Sequence, residues 1–229
     1  MSENGQQESP ILIIVSEREK ANSDNQMRSA MKNHETRKHH VGKRMASPVG
    51  TLTLAATNEG LAAILWENDR PNRVRLRVMA EDDSHPVLVE TERQLTEYFA
   101  GRRTQFALTL DLDGTAFQHA VWNALLTIPF GETRSYAEIA RQIGRPAAVR
   151  AVGAANGRNP VSIVTPCHRV IGSSGALTGF AGGLDVKMRL LEFEKDAVAG
   201  VVRPRLAALG TELGVDHSPR SEALILDRP

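Results

Sequence analysis

The chain has 229 residues and one cysteine, Cys167, and the chemistry its sequence could support gathers around that thiol. It stands in Asn159-Pro160-Val161-Ser162-Ile163-Val164-Thr165-Pro166-Cys167-His168-Arg169-Val170-Ile171. A thiolate is a strong nucleophile, and a nearby base or cation makes it available. A lone cysteine is otherwise a small buried hydrophobe; Pro166 on one side and His168-Arg169 on the other favour a reactive one. Adjacent side chains on an extended segment point apart, so His168 is expected to reach Cys167 indirectly, for instance through a water. Such a base needs a carboxylate to orient it. Leu184, Met188 and Leu191 mark the buried face of an amphipathic helix over 184–196, and Glu194 follows Leu191 by three. A carboxylate near that face needs a partner, and His168 is the candidate; an ordinary surface position is the alternative. The glycine-rich stretch 172–183 lacks the Gly-Lys-Ser/Thr ending of a phosphate loop and reads as a flexible pocket lining.

The elements upstream must place this segment. Phe117, Val121 and Leu125 recur at helical spacing, and Pro129-Phe130-Gly131-Glu132 breaks that helix. Ser135 and Glu138 form a capping box for a helix reaching about Ile143, which Gly144 ends. Pro146 suits the first position of a second helix, running to Asn156. Two short helices across Gly144-Arg145 make a helix-turn-helix pattern. The second helix is thin, with Ala147, Ala148, Ala151, Gly153, Ala154 and Ala155 around one long cation, Arg150. Base-reading helices carry Arg, Asn, Gln or Glu into the major groove. A thin helix with one projecting arginine suits sequence-independent minor-groove binding with a wedge. Close helix–helix packing is the alternative. Arg145 and Arg158, at its two ends, could meet phosphates or stay solvated.

The rest of the chain divides by composition. Hydrophobic residues at 41% and charged residues at 24% exclude a wholly disordered or fibrous chain. No apolar run is long enough to span a bilayer; the early one, Ile11–Val15, follows Glu3 and Glu8 rather than the basic start of a signal peptide. Residues 1–45 are polar and are expected to be a disordered extension. Residues 46–114 read as a small α/β domain. Leu52, Leu54 and Ala56 alternate, Asn58-Glu59-Gly60 turns the chain, and Leu61–Trp66 returns as the second strand of a hairpin. Leu88, Thr91, Leu95, Tyr98 and Phe99 mark a helix stopped by Gly101, and Phe106, Leu108, Leu110 and Leu112 alternate as a strand. Residues 115–197 form the helix-turn-helix domain and 198–229 a tail with a short helix near Leu206. The net charge is +1, yet 46–114 is acidic and 115–197 basic, which hints at a polyanion partner for the second domain. With one cysteine, neither an internal disulfide nor a multi-cysteine metal site is available, and a reducing compartment suits the chain.

These residues carry a resemblance to a known family. Pro166-Cys167-His168-Arg169-Val170-Ile171-Gly172, preceded by RAVGAANGRNPV and followed by GFAGGLDVKMRLLEFE, resembles the methylated-DNA–protein-cysteine methyltransferases, the O6-alkylguanine-DNA alkyltransferases. The upstream FQHAVWNALLTIPFGETRSYAEIA is similar to the same family, and the likeness spans roughly 46–197. It implies a ribonuclease H-like α/β N-terminal domain and a mainly helical C-terminal domain with a helix-turn-helix. It implies that Cys167 accepts the alkyl group, with His168 as water-linked base and Glu194 as its orienter. Asn159 then resembles the hinge asparagine, Arg150 the arginine that fills the stack when guanine leaves, and Tyr136 the tyrosine at the flipped base and its phosphate. Ala148, Ala151, Gly153, Arg145 and Arg158 would face DNA, and Phe180, Ala181 and Val170 would line the pocket. Thr165 departs from the aliphatic residue usual before the Pro-Cys-His-Arg core; a β-branched replacement is expected to keep the strand there. The structural zinc site of some relatives, built on cysteines, is not supported.

The activity so implied is a single-turnover, cofactor-free and metal-free transfer from O6-alkylguanine to the protein's own cysteine, with O4-alkylthymine left open as a further substrate. The partner is double-stranded DNA with alkylated bases, the protein a monomer in a bacterial cytoplasm, with no membrane partner. Against it stand a regulatory helix-turn-helix protein, a lesion binder without repair activity, and a cysteine hydrolase. The first is opposed by the scarcity of base-reading side chains, the second by the intact Cys167, the third by the poor geometry of an adjacent Cys-His pair.

Overall fold

A computed structural model describes residues 38–70 and 73–200. Ile11–Val15 and the helix expected near Leu206 lie outside the described residues. The alternating run at 52–56 and the turn after it build a hairpin, β2 (Leu52–Thr57) paired antiparallel with β3 (Gly60–Trp66). Two strands that hydrophobic alternation does not mark complete the sheet, β1 (His40–Met45) and β4 (Val78–Glu81), in the order β3-β2-β1-β4. β1 runs antiparallel to β2 and parallel to β4. The expectation that the polar extension reaches residue 45 is therefore corrected at its end. In β1 only Gly42 and Met45 are buried, so its place rests on backbone pairing to both neighbours and leaves little trace in the pattern of side chains.

Helix α1 (Pro86–Phe99) begins with proline in its first turn, where no hydrogen bond is lost, and buries Leu88, Thr91, Leu95, Tyr98 and Phe99. It packs on β1, β2 and β3. The alternating residues Phe106, Leu108, Leu110 and Leu112 are half-buried against this core, as expected. They do not form the strand read from the sequence: only Leu110 bridges the sheet, to Leu61. The reason is a substitute partner. The Gln94 amide donates to Ala107 O at 2.9 Å and accepts from Ala107 N at 2.8 Å, satisfying the backbone that a neighbouring strand would.

The second half is mainly helical. Helix α2 (Ala116–Leu126) starts at a Thr115–Gln118 capping box. β5 (Arg134–Ser135) leads into α3 (Tyr136–Gln142), where Ser135 and Glu138 cap reciprocally as the sequence indicates. Gly144 takes φ +69° after it, a left-handed conformation that glycine adopts without a Cβ clash. Helix α4 (Val149–Asn156) begins three residues later than expected. Pro146 sits instead at the second position of a turn closed by Ala148 N donating to Arg145 O at 2.8 Å, a place its fixed φ suits equally well. Trp122 Nε1 donates to Ala155 O at 3.0 Å and ties α2 to α4. A 3-10 turn (Cys167–Arg169) precedes β6 (Val170–Ile171), which pairs parallel with β5, and α5 (Leu184–Val198) closes the half.

Candidate active site

Asn159 shapes the segment that carries the thiol. Its Nδ2 donates to Thr165 O at 2.8 Å and its Oδ1 accepts from Val161 N at 3.1 Å, so one amide spans both arms of the bend. Inside the bend Ile163 has φ +76°, the one non-glycine with positive φ among the described residues. A β-branched residue there costs of order 1–3 kcal/mol and persists only where the surroundings over-determine it. The residues around Thr165 thus form a turn, with Thr165 N donating to Val161 O at 2.9 Å. This corrects the expected strand. The Thr165 hydroxyl is buried without a hydrogen-bond partner.

The bend is fastened to the first half. Ile64 N donates to Pro160 O at 2.9 Å. Arg73 pairs with Asp69, donates to Ile64 O at 2.9 Å and also reaches Asn159 O. Cys167 N donates to Thr165 O at 2.8 Å, and Cys167 is only 3% exposed. Burial pushes its thiol up from the ordinary range, against the hydrogen bonds of Asn159 and Ser162 and the charges of Arg73 and Lys187. Its Sγ lies 3.9 Å from Ser162 Oγ.

His168 does not meet the thiol directly. The local backbone is a 3-10 turn rather than the extended segment assumed from the sequence. His168 Nε2 lies 2.8 Å from Glu194 Oε1. An ionised carboxylate only accepts, so Nε2 carries the hydrogen and Nδ1 is left as the basic nitrogen. Nδ1 is buried and has no hydrogen-bond partner among the described residues. Burial holds the imidazole below its usual range, and Glu194 only partly restores it.

Glu194 is the most connected side chain of the site. Arg169 grips it with two donors, Nε to Oε2 at 2.8 Å and Nη2 to Oε1 at 2.9 Å. Tyr98 Oη donates to Oε1 at 2.8 Å and Gly131 N to Oε2 at 3.1 Å. Burial alone would raise this carboxyl; the hydrogen bonds and charges of His168 and Arg169 outweigh it and hold it at about 2. Glu194 reaches this place on a helix face other than the one read from the sequence. Leu184 and Met188 are exposed, and the buried positions of α5 are Lys187, Leu190 and Glu194. The face is turned because the inward polar groups have partners: Lys187 Nζ donates to Val170 O at 2.6 Å and Thr178 O at 2.8 Å. Burial pulls that ammonium down to about 8.

Tyr136 and the glycine-rich loop meet beside the thiol. Thr178 Oγ1 donates to Tyr136 Oη at 2.9 Å, which leaves the phenol hydrogen for another acceptor. Burial raises the phenol further above neutrality. Phe180 is buried edge-on to Trp66 at 5.4 Å and to His168 at 6.3 Å between ring centroids. Ala181 is half-buried against the core and Val170 fully buried. On α4 and its approaches, Arg145, Arg150, Ala151 and Arg158 are exposed, while Ala148 and Gly153 are half-buried. A Cβ at Gly153 would lie 3.8 Å from the Tyr136 ring, so the thin helix sits directly against the tyrosine. Among the described residues no three His, Cys, Asp or Glu are placed to hold a metal ion.

Sequence reasoning missed Arg169, Tyr98, Gly131, Arg73, Lys187 and Ser162. Arg169 and Ser162 lay within the quoted motif, where a cation beside a base and a hydroxyl five residues before a thiol were signals to follow. Tyr98 offered none: its spacing announced a core helix face, and nothing local says that its hydroxyl meets Glu194.

Two family models match the chain. The 6-O-methylguanine DNA methyltransferase DNA binding domain matches residues 116–196, and the ribonuclease-like domain of the same family matches 43–112. A methylated-DNA–protein-cysteine methyltransferase of Mycobacterium leprae is 51% identical over 156 residues, 68% of this chain and 93% of that protein. One from Methanosarcina acetivorans is 48% identical over 149 residues, covering 65% and 94%. The crystal structure of Mycobacterium tuberculosis OGT in complex with DNA is similar with a TM-score of 0.62 at 49% identity, covering 69% of this chain and 94% of that one.

Proposed function

The chain belongs to the methylated-DNA–protein-cysteine methyltransferase family, and from that premise we propose that Cys167 takes the alkyl group from a flipped-out O6-alkylguanine in duplex DNA. The protein is a direct-reversal DNA repair enzyme: it binds DNA and transfers an alkyl group to its own cysteine. One observation carries the assignment of residues. The only cysteine in the chain is buried next in sequence to an imidazole whose Nε2 is engaged by an ionised carboxylate, leaving Nδ1 basic.

The steps balance. The Cys167 thiol gives its proton, through a water, to His168 Nδ1; Glu194, itself gripped by Arg169, holds the ring and steadies the cation that forms. The sulfur attacks the alkyl carbon in line; the S–C bond forms as the C–O6 bond breaks. The released electron pair returns to the guanine ring, which takes a proton from Tyr136. The products are a thioether and an unmodified guanine, and the proton held on His168 returns through water to the Tyr136 phenolate. No residue of the site is placed to cleave a thioether, so each chain acts once and needs no cofactor.

The lesion must leave the stack to reach a thiol this deeply buried, at a cost of a few kcal/mol. Arg150, exposed on a helix of small residues, fills the gap from the minor groove. Arg145 and Arg158 hold phosphates without reading sequence. Asn159 fixes the bend, and Phe180, Ala181 and Val170 form the pocket wall. The protein works as a monomer in the cytoplasm, where a single thiol stays reduced; among the described residues no helix is long and apolar enough to cross a membrane. The test is intact-protein mass spectrometry after mixing with a duplex holding one O6-methylguanine. Wild type should gain one methylene and saturate at one per chain, and Cys167→Ser should gain nothing. Wild type that binds the duplex but leaves it methylated would reduce the protein to a lesion binder.

A further inference from the structure

Once its proton has left, the sulfur is a buried anion that needs hydrogen-bond donors. Around it, Asn159 Nδ2 gives one hydrogen to Thr165 O and its Oδ1 accepts from Val161 N, which leaves the second amide hydrogen for the sulfur. His168 Nε2 is committed to Glu194. Lys187 spends its ammonium on two carbonyls and Arg73 its guanidinium on Asp69 and two more, so both act on the sulfur as charges rather than as contacts. Tyr136 is engaged with Thr178 and, in the reaction, with the base.

Ser162 offers the sulfur a hydroxyl. It is 0% exposed, and its hydroxyl makes one side-chain hydrogen bond among the described residues, to Cys167 Sγ at 3.9 Å. The contact is long, as befits a weak thiol donor. A wholly buried hydroxyl is normally spent on a carbonyl or another strong acceptor; this one faces the nucleophile. Its position is fixed by the bend, in which Ser162 bridges Thr165 and Asn159 holds both arms.

We propose that Ser162 is a catalytic residue of the alkyl transfer: its hydroxyl accepts from the Cys167 thiol at rest and rotates to donate to the sulfur once the proton has passed to His168. A hydroxyl carries one donor and two acceptor sites and can serve both states without moving its oxygen. A donor to an anion gains strength as the acceptor gains charge, so the contact stabilises the thiolate more than the thiol. In a pocket that burial makes hostile to the anion, this raises the fraction of molecules ready to attack. It leaves the DNA contacts of α4 alone, since those residues are exposed and Ser162 is not. Burial keeps the thiol titrating high overall; Ser162 limits that rise.

The inference rests on Cys167 being the acceptor, and the test separates the two. Because the chain has one cysteine, the ultraviolet absorbance of a thiolate, taken as wild type minus Cys167→Ser, reports this sulfur alone. It is followed against pH in full-length wild type, Ser162→Ala and Ser162→Thr, together with the single-turnover rate of methyl transfer from an O6-methylguanine duplex and the affinity for that duplex. For Ser162→Ala we expect the thiolate titration to move up by about one pH unit and transfer near neutral pH to slow about tenfold, at unchanged affinity. Ser162→Thr, which keeps the hydroxyl, should titrate closer to wild type than Ser162→Ala does. A Ser162→Ala titration and rate equal to wild type overturns the proposal, as does slowing without any shift in titration, which would mean packing alone. Failure of wild type to take up a methyl would overturn the assignment of Cys167 instead.

Discussion

At the residue scale the site contains one polar group that works against the fold and one that holds it. Thr165 Oγ1 is buried without a hydrogen bond, and an unsatisfied hydroxyl costs about 1–3 kcal/mol. Thr165→Val keeps the shape and removes the hydroxyl. It is expected to raise the stability by about 1 kcal/mol and Tm by a few degrees, read from thermal and urea unfolding; an unchanged or lowered midpoint would show that the hydroxyl has a partner in solution. Glu194 is the opposite case. Its folded-state carboxyl titrates at about 2, below its ordinary 4.5. Its contribution is therefore complete above pH 4.5 and is lost as the pH falls through that window towards 2. Glu194→Gln leaves Arg169 buried without its counter-charge and should lose about 3 kcal/mol or more at neutral pH, with alkyl transfer slowed as well. Its urea midpoint should also fall less steeply than that of wild type between pH 4.5 and 3. A parallel fall in both proteins would place the acid-sensitive group elsewhere.

At the scale of elements, the sequence told most where one side chain does one job. The hairpin at 52–66, α1, the capping box at Ser135 and the stop at Gly144 follow from alternation, spacing and caps. It told least where polar partners replace apolar ones. The face of α5 was misjudged because a buried lysine and a buried glutamate, both hydrogen-bonded, look like surface residues in a hydrophobic count. β1 was missed because pairing on both sides holds a strand whose side chains are mostly polar. Of the site, Cys167 and His168 were legible in the motif and Glu194 through the family resemblance, whereas the donors that fix Glu194 come from residues far apart in the chain. Helix α4 supplies the test proper to an element. If it presents Arg150 to the base stack, Arg150→Ala should slow transfer from duplex DNA by roughly ten- to a hundredfold while leaving the reaction with free O6-benzylguanine unchanged. The slope of affinity against salt should move less than it does for a phosphate contact such as Arg158. Equal slowing on both substrates would mean that Arg150 acts through the pocket instead.

At the scale of the whole molecule, the two halves meet at the chemistry. Tyr98 of α1 donates to Glu194 of α5, and Arg73 reaches from the loop after β3 to the carbonyl of Asn159. Tyr98 also stands edge-on to Phe99, Phe130 and Phe193, so its ring belongs to the core while its hydroxyl belongs to the site. Tyr98→Phe keeps the ring and removes the hydroxyl. A loss of about 1–3 kcal/mol is expected, together with a slower transfer, because Glu194 orients His168 with one restraint fewer. A stable variant with undiminished transfer would show that the first half is scaffold only.

That shared carboxylate also bears on how such a gene can be rearranged. A deletion that removed the first half would deliver a helix-turn-helix and a thiol, but a Glu194 without the tyrosine that helps fix it, and an Asn159 carbonyl without Arg73. The two halves are thus not a tool and its handle, to be exchanged by simple fusion. A break in the exposed stretch at Asp113 and Gly114 would sever no hydrogen bond to Glu194, so two separately translated pieces would keep between them every partner of that carboxylate. The protein can be interrupted there more readily than it can be shortened.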